Sequence, residues 1–433
     1  MAQIKELSTP DMSRIYDNPD ILIVDIRPVE AYNGWKLRGE ERGGHIKNAK
    51  SFPFEWTHYQ FEMKELLDSK GITPQQSVVV YGYDRTQTEQ FARMLLDVGY
   101  VDVKCYHHFA EEWTKDHSLP MEHLPNYQQL VYPEWVNSLI NGEKPPHYEG
   151  SHYVILHSHY NYLDDYNQGH IPQAIPMNTM DLESEVTWNR RSPEELETTL
   201  AKHGITKDST VVLYGRFSNP DNNDPYPGRS AGHLGAIRCA AILLYAGVKD
   251  VKVLNGGISR WERAGYETTS QEYQPQPVED FGGEIPGRPE VFVDLPGAKE
   301  LLESDNGDLV SIRSYPEIIG EVSGYNYIET KGRIPGAIFG NCGTDAYHME
   351  NYRNVDHTTR EYHEIAQNWT EWGITPDKHL AFYCGTGWRG SEAFFNAWLM
   401  GYPKISVFDG GWFEWTSHPE NPIATGVPEE MAE

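Results

Sequence analysis

The chain holds four cysteines, Cys105, Cys239, Cys342 and Cys384, and one of them stands where a thiol can react. Cys384 closes the apolar run Leu380-Ala381-Phe382-Tyr383 and opens the glycine-rich stretch Gly385-Thr386-Gly387-Trp388-Arg389-Gly390-Ser391. Glycines let backbone amides turn inward around an anion, and a helix beginning just beyond adds its own N-terminal N–H groups. With Arg389 adjacent, such a cradle would stabilise a thiolate, the form in which cysteine is a nucleophile. The alternative for Cys384 is a small buried hydrophobe at a strand end. Cys239 lies in an apolar helical stretch and Cys105 after a short strand-like run, so both are expected to be inert, while Cys342 sits in a loop and stays open. Four scattered cysteines are too few for a disulfide framework or a Cys-rich zinc site, and no paired ligand spacing indicates a metal or calls for a cofactor.

The elements that must position Cys384 occur three times. A Gly-basic-Ile step recurs at Gly44-His45-Ile46, Gly169-His170-Ile171 and Gly332-Arg333-Ile334. A short apolar run closing on tyrosine recurs at Val78 to Tyr81, Val211 to Tyr214 and Leu380 to Tyr383. A Gly-Gly pair followed by tryptophan recurs at Gly256-Gly257 to Trp261 and Gly410-Gly411 to Trp415, and only Trp113 remains of it in the first copy. The residue after the closing tyrosine is Gly82, then Gly215, then Cys384, so only the third copy carries a nucleophile there. Unbroken apolar runs of this length fit strands buried on both faces, and their alternation with helical stretches predicts an α/β class with a mainly parallel sheet in each copy. Helices are expected from Thr88 to Asp97, Gly232 to Tyr245 and Ser391 to Met400, each followed by a glycine. The domains read as 1–125, 126–275 and 285–428, joined by linkers at Met121 to Tyr132 and Pro275 to Pro289. In copy two the loop 215–229 is expanded, polar and proline-rich, and either overhangs the site of copy three or is a tolerated insertion.

A length of 433 residues agrees with such a division, and a net charge of −28 disfavours phosphate backbones and anionic lipid surfaces as partners. The N-terminus lacks a secretory pattern, so a cytoplasmic location is expected. Aromatic residues make up 12%, an excess that suggests some of them line a site.

Arg389 lies only five residues after Cys384, a tight loop that suits a single sulfur better than a tetrahedral oxyanion, so a persulfide on Cys384 is the natural tenant. On the loop Cys384 to Arg389, the Gly-basic-Ile steps and the Asp409-Gly410-Gly411 to Trp415 ending, the chain resembles the rhodanese-like sulfurtransferases in three tandem units. Ala31 to Trp35, Ser323 to Tyr327, Gly332 to Ile338 and Asp345 to Arg353 are similar to a narrower group, the anaerobic ergothioneine synthases, which move sulfur from polysulfide to hercynine. Tandem thiosulfate sulfurtransferases are similar in the same regions. The resemblance implies that Cys384 accepts sulfane sulfur and passes it to the imidazole carbon of hercynine, with Tyr325 as the acid. Tyr383, Gly385, Thr386, Gly387, Trp388, Arg389 and Glu317 are the expected substrate-binding residues. A loop with one basic residue favours a cationic trimethylammonium over a dianion, and Tyr325, Tyr327, Trp388, Trp412 and Phe413 are candidates for cation–π contact. Packing against the sheet is the alternative for each of these rings taken singly. Two other functions stay open: transfer from thiosulfate or polysulfide to cyanide or a thiol, and a non-catalytic persulfide carrier.

Overall fold

The computed structural model describes residues 4–59, 61–217 and 232–428, and divides into two compact units, Met1–Gln128 and Gln129–Glu433. Each repeat builds a five-stranded sheet of one topology, and every pairing within it is parallel. In the first repeat the strands lie in the order Lys5–Leu7, Val103–Tyr106, Ser77–Tyr81, Ile21–Asp25, Lys50–Ser51. The second repeat places Leu130–Val131, Asp250–Leu254, Thr210–Tyr214, Tyr153–His159 and Ile175–Asn178 in the same sequence of neighbours. The third uses Phe292–Val293, Ile405–Phe408, His379–Tyr383, Gly307–Ser311 and Ile338–Phe339. The central strands are apolar without alternation because both faces are covered: Val78, Val79, Val80 and Tyr81 are all fully buried.

The helices after the tyrosine-ending strands run Arg85–Asp97, Gly232–Ala246 and Trp388–Leu399, the first and third beginning three residues before the sequence suggests. Gly99, Gly247 and Gly401 follow them with positive φ, as a helix stop requires. The helix Gly232–Ala246 is apolar all round and buried along its whole length, because it packs between the second sheet and the helix Trp388–Leu399 of the third repeat. Arg238 is the one charged residue on it.

His45 and His170 anchor loops: they stack on Tyr32 and Tyr166 at 3.7 and 3.6 Å and bond the carbonyls of those same tyrosines. Trp113, Trp261 and Trp415 are structural, each donating its indole N–H to a carbonyl six or seven residues on. The expected linker Met121 to Tyr132 is partly strand, since Met121–Glu122 pairs antiparallel with His45–Ile46 and Leu130–Val131 is an edge of the second sheet. Among the described residues no helix is long and apolar enough to cross a membrane.

Candidate active site

Cys384 stands one residue beyond the strand His379–Tyr383, at the carboxyl edge of the third sheet, where open parallel sheets collect ligands. Three strand ends converge there. The strand Gly307–Ser311 leads to Arg313 and Glu317, the strand Ile405–Phe408 to Asp409-Gly410-Gly411, and the central strand to the loop itself. The backbone N–H groups of Trp412 and Phe413 hold the loop from one side, bonding the carbonyls of Cys384 and Gly385 at 2.8 and 3.0 Å. The helix Trp388–Leu399 begins on Gly387, which has φ +89 and gives no side-chain cap, so the first-turn N–H groups are left for an anion at the loop.

Tyr325 lies directly on this loop. Its hydroxyl accepts from Gly385 N at 3.0 Å and from Arg389 Nη2, which leaves its own proton to donate. Gly385 must be glycine, since a Cβ there would come within 2.3 Å of the Tyr325 ring. Burial raises the phenol well above its ordinary range, and Arg389 opposes that. A hydroxyl of this kind stays protonated at neutral pH and can serve as a proton donor.

Arg389 is fully buried and turned inward. Its fork meets Glu317 at 2.9 Å through both terminal nitrogens, and Nη1 also lies 3.1 Å from the Cys342 sulfur. Burial would raise the Glu317 carboxyl, but Arg389, Arg313 and the Ser314 N–H outweigh it and hold it at about 2. Two guanidiniums, Arg389 and Arg313, thus share the one carboxylate of Glu317 under the loop, which corrects two expectations. Glu317 has both oxygens committed within the protein and is not available to bind a substrate, and Arg389 answers to Glu317 and Tyr325 before it can act on a thiolate.

Tyr383 is also corrected. It is buried in the core with Leu309, Ile334, Phe408 and Trp412, beneath the sheet edge rather than in the loop. Its counterparts Tyr81 and Tyr214 show what the position does, since their hydroxyls accept from Ile46 N and Ile171 N and pin the Gly-basic-Ile step. Trp412 belongs to the same core and spends its indole N–H on Thr330 O, and Phe413 packs against that core.

The aromatic groups that do reach the loop form a chain from both repeats. Tyr325 and Tyr327 lie 5.3 Å apart, Tyr327 stacks on Trp188 at 5.1 Å, and Tyr160 stands 6.0 Å from Trp188 and 5.7 Å from Trp388. Thr386 is buried beside them, and its side chain opposes the rise that burial imposes on the Tyr327 hydroxyl. Tyr327 is 41% exposed, so this chain opens to solvent. Trp188 takes φ +61, a conformation that is strained for a tryptophan and is found where surroundings over-determine it. Sequence reasoning missed Tyr160, Trp188 and Glu183 and looked instead to the loop 215–229, of which residues 218–229 lie outside the described residues. The signal was Arg238, a lone charge in an apolar helix that must have a buried partner.

The other three thiols are buried. Burial pushes Cys105 and Cys342 up to about 12 and Cys239 well above the ordinary thiol range.

The rhodanese-like domain family matches this chain three times, at residues 8–116, 161–264 and 295–418. The chain belongs to the rhodanese family. Among curated rhodanese relatives, the thiosulfate sulfurtransferase YnjE of Escherichia coli is 37% identical over 93% of this chain and 88% of its own length. The sulfur carrier protein TtuD of Thermus thermophilus is 29% identical over 69% of this chain and 96% of its own length. Solved structures of EanB share 54% identity at a TM-score of 0.96, the wildtype form covering 98% of this chain and 99% of its own. Other structures show EanB variants with hercynine, and with ergothioneine beside a cysteine persulfide.

Proposed function

We propose that this sulfurtransferase carries sulfane sulfur as a persulfide on Cys384 and transfers it to the imidazole carbon of hercynine, forming ergothioneine, with polysulfide as donor. The observation that carries the reading is the grip on Tyr325 at the loop: Arg389, itself braced by Glu317, and the Gly385 N–H together hold the Tyr325 hydroxyl as a donor. A ring that must exchange protons meets an acid, and a quaternary ammonium meets the aromatic faces of Tyr327, Trp188, Tyr160 and Trp388. The likeness to EanB, whose structures include hercynine and ergothioneine complexes, supports the same acceptor.

In the loading step the Cys384 thiolate attacks polysulfide, an S–S bond of the donor breaks, and the shortened polysulfide leaves. In the transfer step the terminal sulfur bonds to C2 of the imidazole. The persulfide S–S bond breaks with its electron pair returning to Cys384 as thiolate, and the hydrogen that leaves C2 ends on a ring nitrogen of the thione. Sulfane sulfur is reduced as the carbon is oxidised, so no external oxidant is required. Tyr325 protonates the ring or the departing thiolate, and Gly385, Thr386, Gly387 and Trp388 shape the site. The three repeats, 1–125, 126–275 and 285–428, divide the work, with chemistry in the third, and the enzyme acts on small molecules in the cytoplasm.

Incubating the protein with polysulfide and hercynine and following the products by mass spectrometry tests this. A product heavier than hercynine by one sulfur is expected. Turnover of thiosulfate and cyanide without that product would overturn the reading, and retention of sulfur on Cys384 with no acceptor consumed would assign a carrier.

A further inference from the structure

The second repeat has no nucleophile, yet it reaches the loop of the third through one carboxylate. Glu183 follows the turn Thr179–Asp181 and is fully buried. Its Oε1 accepts from Arg238 Nε at 2.6 Å, and its two oxygens accept the Trp388 indole N–H at 3.0 and 2.9 Å. Arg238 continues to Asp409 at 2.5 Å, and Asp409 in turn takes Arg190 at 2.6 Å. Glu183, Arg238, Asp409 and Arg190 therefore form a row of alternating charge that runs from the second repeat to the carboxyl edge of the third sheet, buried as far as Asp409 and ending at Arg190, which also meets the exposed Asp294 at 3.0 Å. Arg238 also stands against the loop itself, since a Cβ on Gly387 would lie 3.0 Å from its Nη1.

Trp388 is the only side chain of the loop that this row grips, and it is the loop's aromatic wall. Its indole could turn about its side-chain torsions without the carboxylate, because it is not fully buried. With the N–H shared between two buried oxygens, one orientation is fixed, edge-on to Tyr160 at an interplanar angle of 85°.

We infer that Glu183 is a positioning residue of the second repeat that sets the Trp388 ring in the third repeat's active loop and thereby tunes affinity for the acceptor, without taking part in persulfide loading. This rests on the acceptor reading above for its kinetic signature. The geometry excludes an amide as an equivalent: a glutamine side chain at this position would have to turn its NH₂ group toward either the Trp388 N–H or the Arg238 guanidinium, both donors.

The test compares Glu183→Gln, Trp388→Phe and the double variant in the full chain. Each single change is expected to raise the KM for hercynine by about tenfold with kcat within about threefold, while the rate of persulfide formation on Cys384 stays within about twofold. The double variant is expected to match Trp388→Phe alone, because Glu183 acts through that N–H. A Glu183→Gln effect of full size in the Trp388→Phe background, or an unchanged KM in both single variants, overturns the inference. An equal loss of loading and transfer would make Glu183 merely structural and overturns it too. Should Glu183→Gln not fold, Trp388→Phe decides by its KM. One readout needs no acceptor: in protein labelled with ¹⁵N-tryptophan, the signal missing in Trp388→Phe is expected to exchange slowly with deuterium in the wild type. Rapid exchange there overturns the positioning, whereas failure to consume hercynine overturns only the proposed acceptor.

Discussion

The first and third repeats treat the same point, the end of the tyrosine-closing strand, in opposite ways. In the first, Gly82 leaves no room for a side chain: a Cβ would lie 2.7 Å from Ile26 Cγ1. The helix that follows is capped by Asp84, whose carboxylate takes the Gln87 N–H at 2.8 Å and meets the positive end of the helix dipole from within. In the third, Cys384 occupies the position and the helix starts on Gly387 without a side-chain cap. The second repeat closes the point by another route, since a Cβ on Gly215 would fall 2.3 Å from the Gly232 carbonyl. An anion cradle is thus defined as much by what the chain withholds, a cap and a packing neighbour, as by the nucleophile it supplies.

The sharpest way to break that comparison is to move the nucleophile. Cys384→Ser is expected to lower sulfur transfer by at least about 10³-fold. Adding Gly82→Cys or Gly215→Cys to it is expected to restore none, and a persulfide found by mass spectrometry at either position would show that neighbours had not closed the site. Tyr325→Phe comes next, with loading of Cys384 retained and transfer to the ring slowed about 10²- to 10⁴-fold in single turnovers. Equal losses in both steps would remove the acid role.

Glu317→Gln leaves Arg389 and Arg313 facing an uncharged partner and is expected to cost about 3–5 kcal/mol in chemical denaturation. The wild-type carboxyl sits at about 2 against an ordinary 4.5, so its contribution is present in full above the ordinary value and is lost as pH falls toward the lower one. The stability gap between wild type and variant should narrow over that acid window, and a gap that holds constant through it would mean the ion pair is not its source. Asp84→Ala is the mildest change, at about 1 kcal/mol for a lost cap, and added to Gly82→Cys in the Cys384→Ser background it is expected to bring no sulfur uptake to the first repeat. Uptake there would show that the cap alone silences it.

Much of this architecture was legible because it rests on local pattern. Runs such as Val211 to Tyr214 can be buried on both faces only within a parallel sheet, and laying the copies side by side isolated Cys384. Tyr325 was found through its resemblance, and the structure adds the Gly385 N–H that holds it. Glu317 was picked as a charge but assigned to the wrong partner, because nothing in sequence order brings it to Arg389, 72 residues on. Tyr383 shows the limit of adjacency, as alternation along a strand sends neighbours to opposite faces and only Cys384 continues into the loop. Trp188 and Glu183 come from another repeat altogether, and no periodicity reports a meeting across 205 residues.

Asp409 opens the Asp-Gly-Gly ending that marks the third repeat, but its carboxylate is spoken for by Arg238 and Arg190 of the second. The second and third repeats are modular in pattern and indivisible in charge. A gene fragment beginning at residue 285 would encode the whole nucleophile loop and leave behind the counterweight that lets Asp409 sit fully buried beside it. Anyone transplanting this loop into a shorter scaffold must therefore carry two arginines from a domain with no catalytic cysteine.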